Sequence, residues 1–242
     1  MGERMDEIVA VNGSPDKDKG NTARLLWSLL EGMREKGAST KVLYASEIKP
    51  NPCLGDMHCW YRKPGQCHQR DGMQDVYPLL KEADIVILAT PVYIPLPGEM
   101  QNFINRMCPL FRPHLSFENG RTRAQAREGV RMKGMALVAT GAWWELENLK
   151  ILEHIVEEIA MKMGVTYLGG VLRPHAYVMD GDQVKAEGIR QAVRQAGHQL
   201  IRDGEFSKEL LQRISMPLVS EEDLRAYWND LERKTNSEQK GS

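Results

Sequence analysis

The chain of 242 residues lacks any apolar run approaching the roughly 18 residues that a membrane-spanning helix requires. Its opening, MGERMDEIVAV, lacks the apolar core of a signal peptide, and Asp6 stands where a myristoylation motif needs Ser or Thr. The expectation is a cytoplasmic protein with no membrane partner. A charge imbalance is missing too: the formal net charge is −1, with acids and bases interspersed. That argues against a nucleic-acid surface and, less strongly, against a carrier steered to partners by its field. Cysteine is scarce, at four residues. In a cytosolic chain these read as thiols or metal ligands rather than disulfides.

Motifs for several chemistries are also absent. Gly20 is followed by Asn21 and not Lys, which removes the lysine a P-loop needs. Gly13 and Gly20 are too far apart for a dinucleotide G-x-G-x-x-G fingerprint. Asn12-Gly13 and Thr90-Pro91 stand where a phosphoacceptor domain would carry its acids. The six histidines are scattered, no nucleophile–base–acid triad is legible, and no catalytic residue is assigned.

What remains is a regular alternation. Ile8–Val11, Ser39–Tyr44, Ala83–Thr90, Gly134–Thr140 and Thr166–Val171 read as strands, short and rich in β-branched residues. Between and after them, apolar residues recur at helical spacing: Leu25, Leu26, Leu29, Leu30 and Met33; Val76, Leu79 and Leu80; Phe103, Ile104 and Met107; Leu149, Leu152, Ile155, Val156, Ile159 and Met163; and Ile189, Val193 and Leu200. Such an order predicts an α/β fold, a five-stranded parallel sheet with helices on both faces. Residues 45–73 and 109–132 are Pro- and Gly-punctuated and are expected to carry little regular structure. One domain over residues 1–206 is expected, then a helical extension over 207–234 broken near Pro217, then a disordered tail over 235–242.

Ligands of such sheets bind at the carboxyl ends of the strands, near a switch in strand order. Three loops stand there: Ser14–Thr22, Thr90–Pro97 and Thr140–Trp144. The first joins a strand to a helix through GSPDKDKGNT, a geometry that aims free backbone N–H groups at an anion. Ser14, Asn21 and Thr22 add side-chain donors suited to a compact terminal phosphate. The plainer alternative is a helix cap at Asn21 or Thr22.

Taken together, Gly13-Ser14-Pro15, Gly20-Asn21-Thr22, Ala89-Thr90-Pro91-Val92-Tyr93 and Phe103-Ile104-Asn105-Arg106 resemble the flavodoxin-like NAD(P)H-dependent FMN reductase family, most closely its iron–sulfur flavoprotein branch. The resemblance runs over roughly residues 7–175. It implies a flavodoxin-like three-layer fold, FMN as cofactor and NAD(P)H as electron donor. It also implies a small-molecule acceptor such as a quinone or flavin, and a homodimer or homotetramer. By the same resemblance Ser14, Gly20, Asn21 and Thr22 would hold the FMN phosphate. Pro91, Val92, Tyr93 and Ile94 would line the isoalloxazine edge, and Thr140, Gly141 and Ala142 would close its other side. The family often has Arg after Ser-Pro. Here it is Asp16, so Lys17 or Lys19 is expected to supply the positive charge.

The cysteine loop departs further. The branch pattern is C-x2-C-x2-C-x(4–7)-C, and this chain has Cys53, Asp56, Cys59 and Cys67 at those positions. A [4Fe–4S] cluster is ordinarily held by four thiolates. Three thiolates and the Asp56 carboxylate could hold one, but the reading preferred here is a loop that keeps its shape without the cluster. Zinc through those cysteines and His58 or His68 is less favoured, because no C-x2-C pair survives. Cys108 reads as a core residue.

Trp143 or Trp144 is placed to stack on a flat ligand, or to pack between helix and sheet. Phe111 and Phe117 are candidates to cover a neighbouring subunit's flavin. Three functions stay open: an FMN-dependent oxidoreductase, an electron-transfer flavoprotein serving a protein partner, and a cofactor-free interaction module.

Overall fold

In a computed structural model, residues 6–118 and 120–240 are described. Strand β1 (Glu7–Asn12) leads through the first loop into helix α1 (Asn21–Glu35) and strand β2 (Ser39–Tyr44). Two four-residue helices follow, α2 (Ala45–Ile48) and α3 (His58–Tyr61), then α4 (Met73–Glu82), β3 (Ile85–Pro91) and α5 (Gly98–Asn105). A hairpin of β4 (Phe111–Glu118) and β5 (Arg121–Ala126) precedes β6 (Gly134–Thr140), α6 (Glu147–Met163), β7 (Thr166–Arg173) and α7 (Gln183–Asp203). Helices α8 (Lys208–Ser215) and α9 (Glu221–Lys240) close the chain.

The five-stranded sheet has the order β2-β1-β3-β6-β7, all parallel, as expected. Its central strands are buried on both faces, and so are continuous apolar runs rather than alternating ones. The pleat then sorts neighbours into two cores. Val9, Val11, Val86, Leu88, Met135 and Leu137 face α4, α5 and α6. Ile8, Ala10, Ile87, Ala89, Ala136 and Val138 face α1 and α7. On that second face the helices touch backbone to backbone: a Cβ on Gly32 would stand 2.0 Å from the Arg194 carbonyl oxygen, and one on Gly197 2.2 Å from that of Leu29. The order reverses between β1 and β3, which places the switch point beside the first loop.

Two expectations are corrected. Residues 109–132 are not irregular: an antiparallel hairpin spans most of them, with Phe117 paired to Thr122. The Arg-rich composition hid an alternating pattern over residues 111–117 and 121–126. Arg121 of this hairpin pairs with Glu158 of α6 at 2.8 Å. Secondly, α9 runs through residues 235–240, which were expected as tail, while 241 and 242 lie outside the described residues. The extension is broken at residues 216–220, around Pro217, and Ile214 of α8 is fully buried against the α1/α7 core. Among the described residues no helix is long and apolar enough to cross a membrane.

Candidate functional site

The first loop is shaped by buried polar groups. Asn12, at the end of β1, accepts the Ser14 N–H at 2.8 Å and donates to the Lys17 carbonyl at 3.3 Å, which turns the chain sharply. Gly13 is needed where the loop leaves the sheet, since a Cβ there would stand 2.7 Å from Met100 Cβ. Lys17 is spent outward on Glu47 at 2.7 Å, and Asp18 is clamped by the Tyr44 hydroxyl and by the Trp27 indole. Those two donors, Tyr44 first, hold the Asp18 carboxyl below the usual carboxylate range.

The inner side of the loop is left for an anion. Helix α1 has Gly20 at its N-cap position, so no side chain caps it, and it carries no acid in its first turn. Its first N–H groups and the positive end of its dipole are therefore available. Buried Ser14 places Oγ 3.1 Å from where a Gly20 Cβ would stand. Thr22 is buried as well, and its hydroxyl lies 2.6 Å from that of Thr140 at the end of β6. That contact brings the first and third loops together.

The second and third loops are joined by backbone. Val92 N–H donates to the Thr140 carbonyl at 2.8 Å, and Gly141 packs between Val92 and Leu149. Pro91 and Val92 are half-buried, whereas Tyr93, Ile94 and Ala142 are exposed. Ile94, joined to Pro95 by a cis peptide, is completely exposed. Ser14, Gly20, Thr22, Pro91, Val92, Thr140 and Gly141 thus converge on one edge of the sheet.

Asn21 sits less simply. Its amide donates to Asp180 at 3.4 Å and accepts from Arg24 at 3.1 Å, and Arg24 itself pairs with Asp180. The side chain expected to hold phosphate is engaged by an acid from the turn after β7, a partner no local pattern announces. Lys19 is exposed, and Asp16 lies beside Gly20, with its Oδ2 3.7 Å from that Cβ position. Removal of this charge, Asp16→Asn, is expected to tighten FMN about two- to fivefold, an effect that shrinks at high salt. Titration of the variant with FMN at two ionic strengths checks it.

Trp144 does not face the edge: its indole donates to the Val219 carbonyl at 3.0 Å. Trp143 is exposed and meets Trp228 of α9 edge-on at 6.1 Å between centroids. Trp228 in turn meets Tyr177 at 5.0 Å, so the extension brings an aromatic cluster beside the third loop. Phe117 is exposed and Phe111 only partly buried.

Buried charges behind the edge also escaped the sequence reading. Arg173 is fully buried at the end of β7 and donates to the Ile214 carbonyl at 2.6 Å, the Met216 carbonyl at 2.7 Å and His175 Nε2 at 2.7 Å. Burial lowers its pKa to about 10. On the opposite face, Arg106 grips Asp71 at 2.6 and 3.2 Å and the Asn51 carbonyl at 3.0 Å, fixing both ends of the cysteine loop.

Within that loop Cys53 is exposed, and Cys59 and Cys67 are half-buried. Asp56 accepts the His58 N–H at 3.0 Å and faces His68 Nδ1 at 3.5 Å. Cys108 is not a core residue. It is half-buried beside Cys59, and their interaction lowers the Cys59 pKa to about 7 while raising that of Cys108. Among the described residues no three His, Cys, Asp or Glu side chains converge to hold a single metal ion.

The sequence model of the family described as NADPH-dependent FMN reductase matches residues 7–170. An iron–sulfur flavoprotein of Archaeoglobus fulgidus is 37% identical over 116 residues, 47% of this chain and 51% of that protein. One of Methanosarcina thermophila is 28% identical over 129 residues, 53% of this chain and 66% of that protein. The chain thus spans about half the length of the first of these relatives. Among solved structures, an NAD(P)H:quinone oxidoreductase from Methanothermobacter marburgensis superposes with a TM-score of 0.59 at 13% identity, covering 81% of this chain and 98% of that one. An FMN-dependent NADH-azoreductase from Bacillus anthracis, in complex with FMN, gives 0.56 at 12%, covering 81% and 100%. At such identities these two show the shared fold alone.

Proposed function

Since the chain belongs to the NADPH-dependent FMN reductase family, we propose that it is an oxidoreductase that holds FMN across its three strand-end loops and passes electrons from NADH or NADPH to a small acceptor, a quinone or a flavin. The observation that carries this reading is the uncapped N-terminus of α1, flanked by buried Ser14 and by the Thr22–Thr140 hydroxyl pair. Buried hydroxyls are costly without a strong partner, and a phosphate dianion on a helix N-terminus supplies one.

Bound there, FMN supplies hydride acceptance and onward electron transfer, chemistry that belongs to the cofactor. The residues do the rest. Ser14, Thr22 and the first N–H groups of α1 hold the phosphate, with Gly20 giving it room and Lys19 offsetting Asp16. Pro91, Val92, Gly141 and Ala142 form two walls for the ring, and Tyr93 and Ile94 stay exposed at its rim. Their exposure, with that of Leu115 and Phe117, favours a homo-oligomer in which a second copy covers this edge. No side chain is asked to move a proton.

The test is optical. Protein loaded with FMN and freed of excess should retain about one flavin per chain, lose its flavin colour anaerobically on addition of NADPH or NADH, and regain it with a quinone. Protein that retains no flavin, or whose flavin neither nucleotide reduces, would refute the reading. A second reading, an electron-transfer flavoprotein serving a protein partner, is favoured by a small cavity lined by Cys53, Cys59, Cys67 and Cys108.

A further inference from the structure

All four cysteines of the chain line one cavity of about 130 Å³: Cys53, Cys59, Cys67 and, from beyond α5, Cys108. Cys108 lies 41 positions after Cys67 in sequence, and the fold delivers it to the loop by specific bonds. The Trp60 indole donates to the Cys108 carbonyl at 3.1 Å. Arg127, from the end of the hairpin, donates to the Cys59 carbonyl and to the Pro109 carbonyl, both at 3.0 Å. These bonds hold Cys108 beside Cys59 on the wall of the cavity. Asp56, the residue in the position of the missing cysteine, also lines the cavity, but its carboxylate is engaged: it accepts the His58 N–H at 3.0 Å and faces His68 at 3.5 Å.

We propose that Cys108, and not Asp56, is the fourth ligand of an iron–sulfur cluster bound by Cys53, Cys59 and Cys67. The donor set is then four thiols, the ordinary set for a [4Fe–4S] cluster, with no carboxylate at any iron. A mononuclear metal fits less well. A tetrahedral ion with metal–sulfur bonds of about 2.3 Å needs its thiolates about 3.8 Å apart, and among the described residues no three donors converge so closely. A cluster places one thiolate on each of four irons and so accepts a wider set. Ligation converts four thiols to thiolates and releases their protons; the ordinary core holds two ferrous and two ferric ions with four sulfides, so assembly from equal amounts of ferrous and ferric iron needs no further oxidant. Arg106 and Arg127 flank the site and offset the negative charge that four thiolates bring. The run from Cys53 to Met57 is exposed and lines one side of the cavity. The assignment does not depend on FMN, because cluster content is measured whether or not flavin is bound.

Anaerobic incubation of the full chain, reduced beforehand and freed of reductant, with sulfide and equal amounts of ferrous and ferric iron tests it. Wild type and Asp56→Ala should each take up about four irons and four acid-labile sulfides per chain. Cys108→Ser should retain less than a quarter of that. The double variant Asp56→Cys/Cys108→Ser should regain it, because the thiolate returns to the spacing of the iron–sulfur branch. Footprinting of the wild type needs no variant: Cys108 should be alkylated by iodoacetamide several-fold more slowly after reconstitution than before. The proposal is overturned if Asp56→Ala loses the cluster while Cys108→Ser keeps it. It is equally overturned if wild type takes up iron or zinc without sulfide, or if Cys108 is alkylated equally fast in both forms.

Discussion

A Thr22→Val protein is expected to bind FMN about 10- to 100-fold more weakly than wild type, while Thr22→Ser binds it nearly as well. The Thr22 hydroxyl is buried at the start of α1, against Thr140 Oγ1 at 2.6 Å. Each of these two groups has one proton, and they share only one hydrogen bond. The second proton is left to point at an acceptor, and an anion at the helix N-terminus is the natural one. A hydrogen bond to a charged group is worth about 1.5–3 kcal/mol, which is roughly one to two powers of ten in affinity. Valine keeps the shape and removes the donor. The Thr140 hydroxyl then turns toward whatever remains, at a cost in stability of about 1 kcal/mol. Equilibrium titration of apoprotein by flavin fluorescence quenching measures the affinity. Equal affinity in wild type and Thr22→Val would place the phosphate elsewhere.

The sheet was legible because its signals are local. An apolar run such as Ile8–Val11 or Gly134–Thr140 has few outcomes other than a strand buried on both faces, and Leu25, Leu26, Leu29, Leu30 and Met33 mark one helix face without reference to the rest of the chain. The hairpin of β4 and β5 escaped for the opposite reason. Its strands carry Arg112, Arg121 and Arg123, and their stability comes from pairing with each other and from α6, neither visible in composition. Helix α9 was cut short because the polar run after Leu231 offers no periodic apolar face.

The candidate site divides the same way. Ser14, Gly20 and Thr22 could be proposed together from the loop because they lie close in sequence around one strand-to-helix turn. Thr140 could be placed at the edge as a strand end, but its contact with Thr22 spans 118 residues and appears only in three dimensions. Asn21 shows the limit of carrying a motif over by type, since its amide is drawn to Asp180. Cys108 shows it more sharply. A cysteine just past a helix reads as a small apolar residue, and nothing in the intervening sequence reveals that α5 ends where the cysteine loop returns.

Lowering the pH from 7.5 to 4.5 is expected to cost the protein on the order of 2–3 kcal/mol through His175 alone, a loss that His175→Gln removes. His175 is fully buried beside Arg173, and burial first, then the Arg173 charge, push its pKa down to about 4. Its Nε2 accepts hydrogen bonds from Arg173 Nη2 at 2.7 Å and from the Leu218 N–H at 3.1 Å, which requires a neutral ring. The unfolded chain takes up the proton near pH 6.5 and the folded one only near pH 4. The stabilisation is therefore complete above about pH 6.5, falls away as the pH drops toward 4, and levels off below that. Asp71 does not confuse this window. Burial raises its pKa, but the Arg106 guanidinium and the N–H groups of Asn51 and Met73 outweigh that and hold it below the ordinary carboxylate value, so its contribution persists down to more acid pH. Glutamine reaches as far as Nε2, presents an acceptor, and does not titrate. Urea unfolding at the two pH values, wild type against His175→Gln, should show a difference in pH dependence of that size, and parallel behaviour would rule His175 out. Tryptophan emission is the informative probe, because a protonated His175 releases Leu218, the residue next to the Val219 carbonyl that holds Trp144. Acid should thus loosen the extension first, and with it the aromatic cluster of Trp228 and Trp143 beside the third loop.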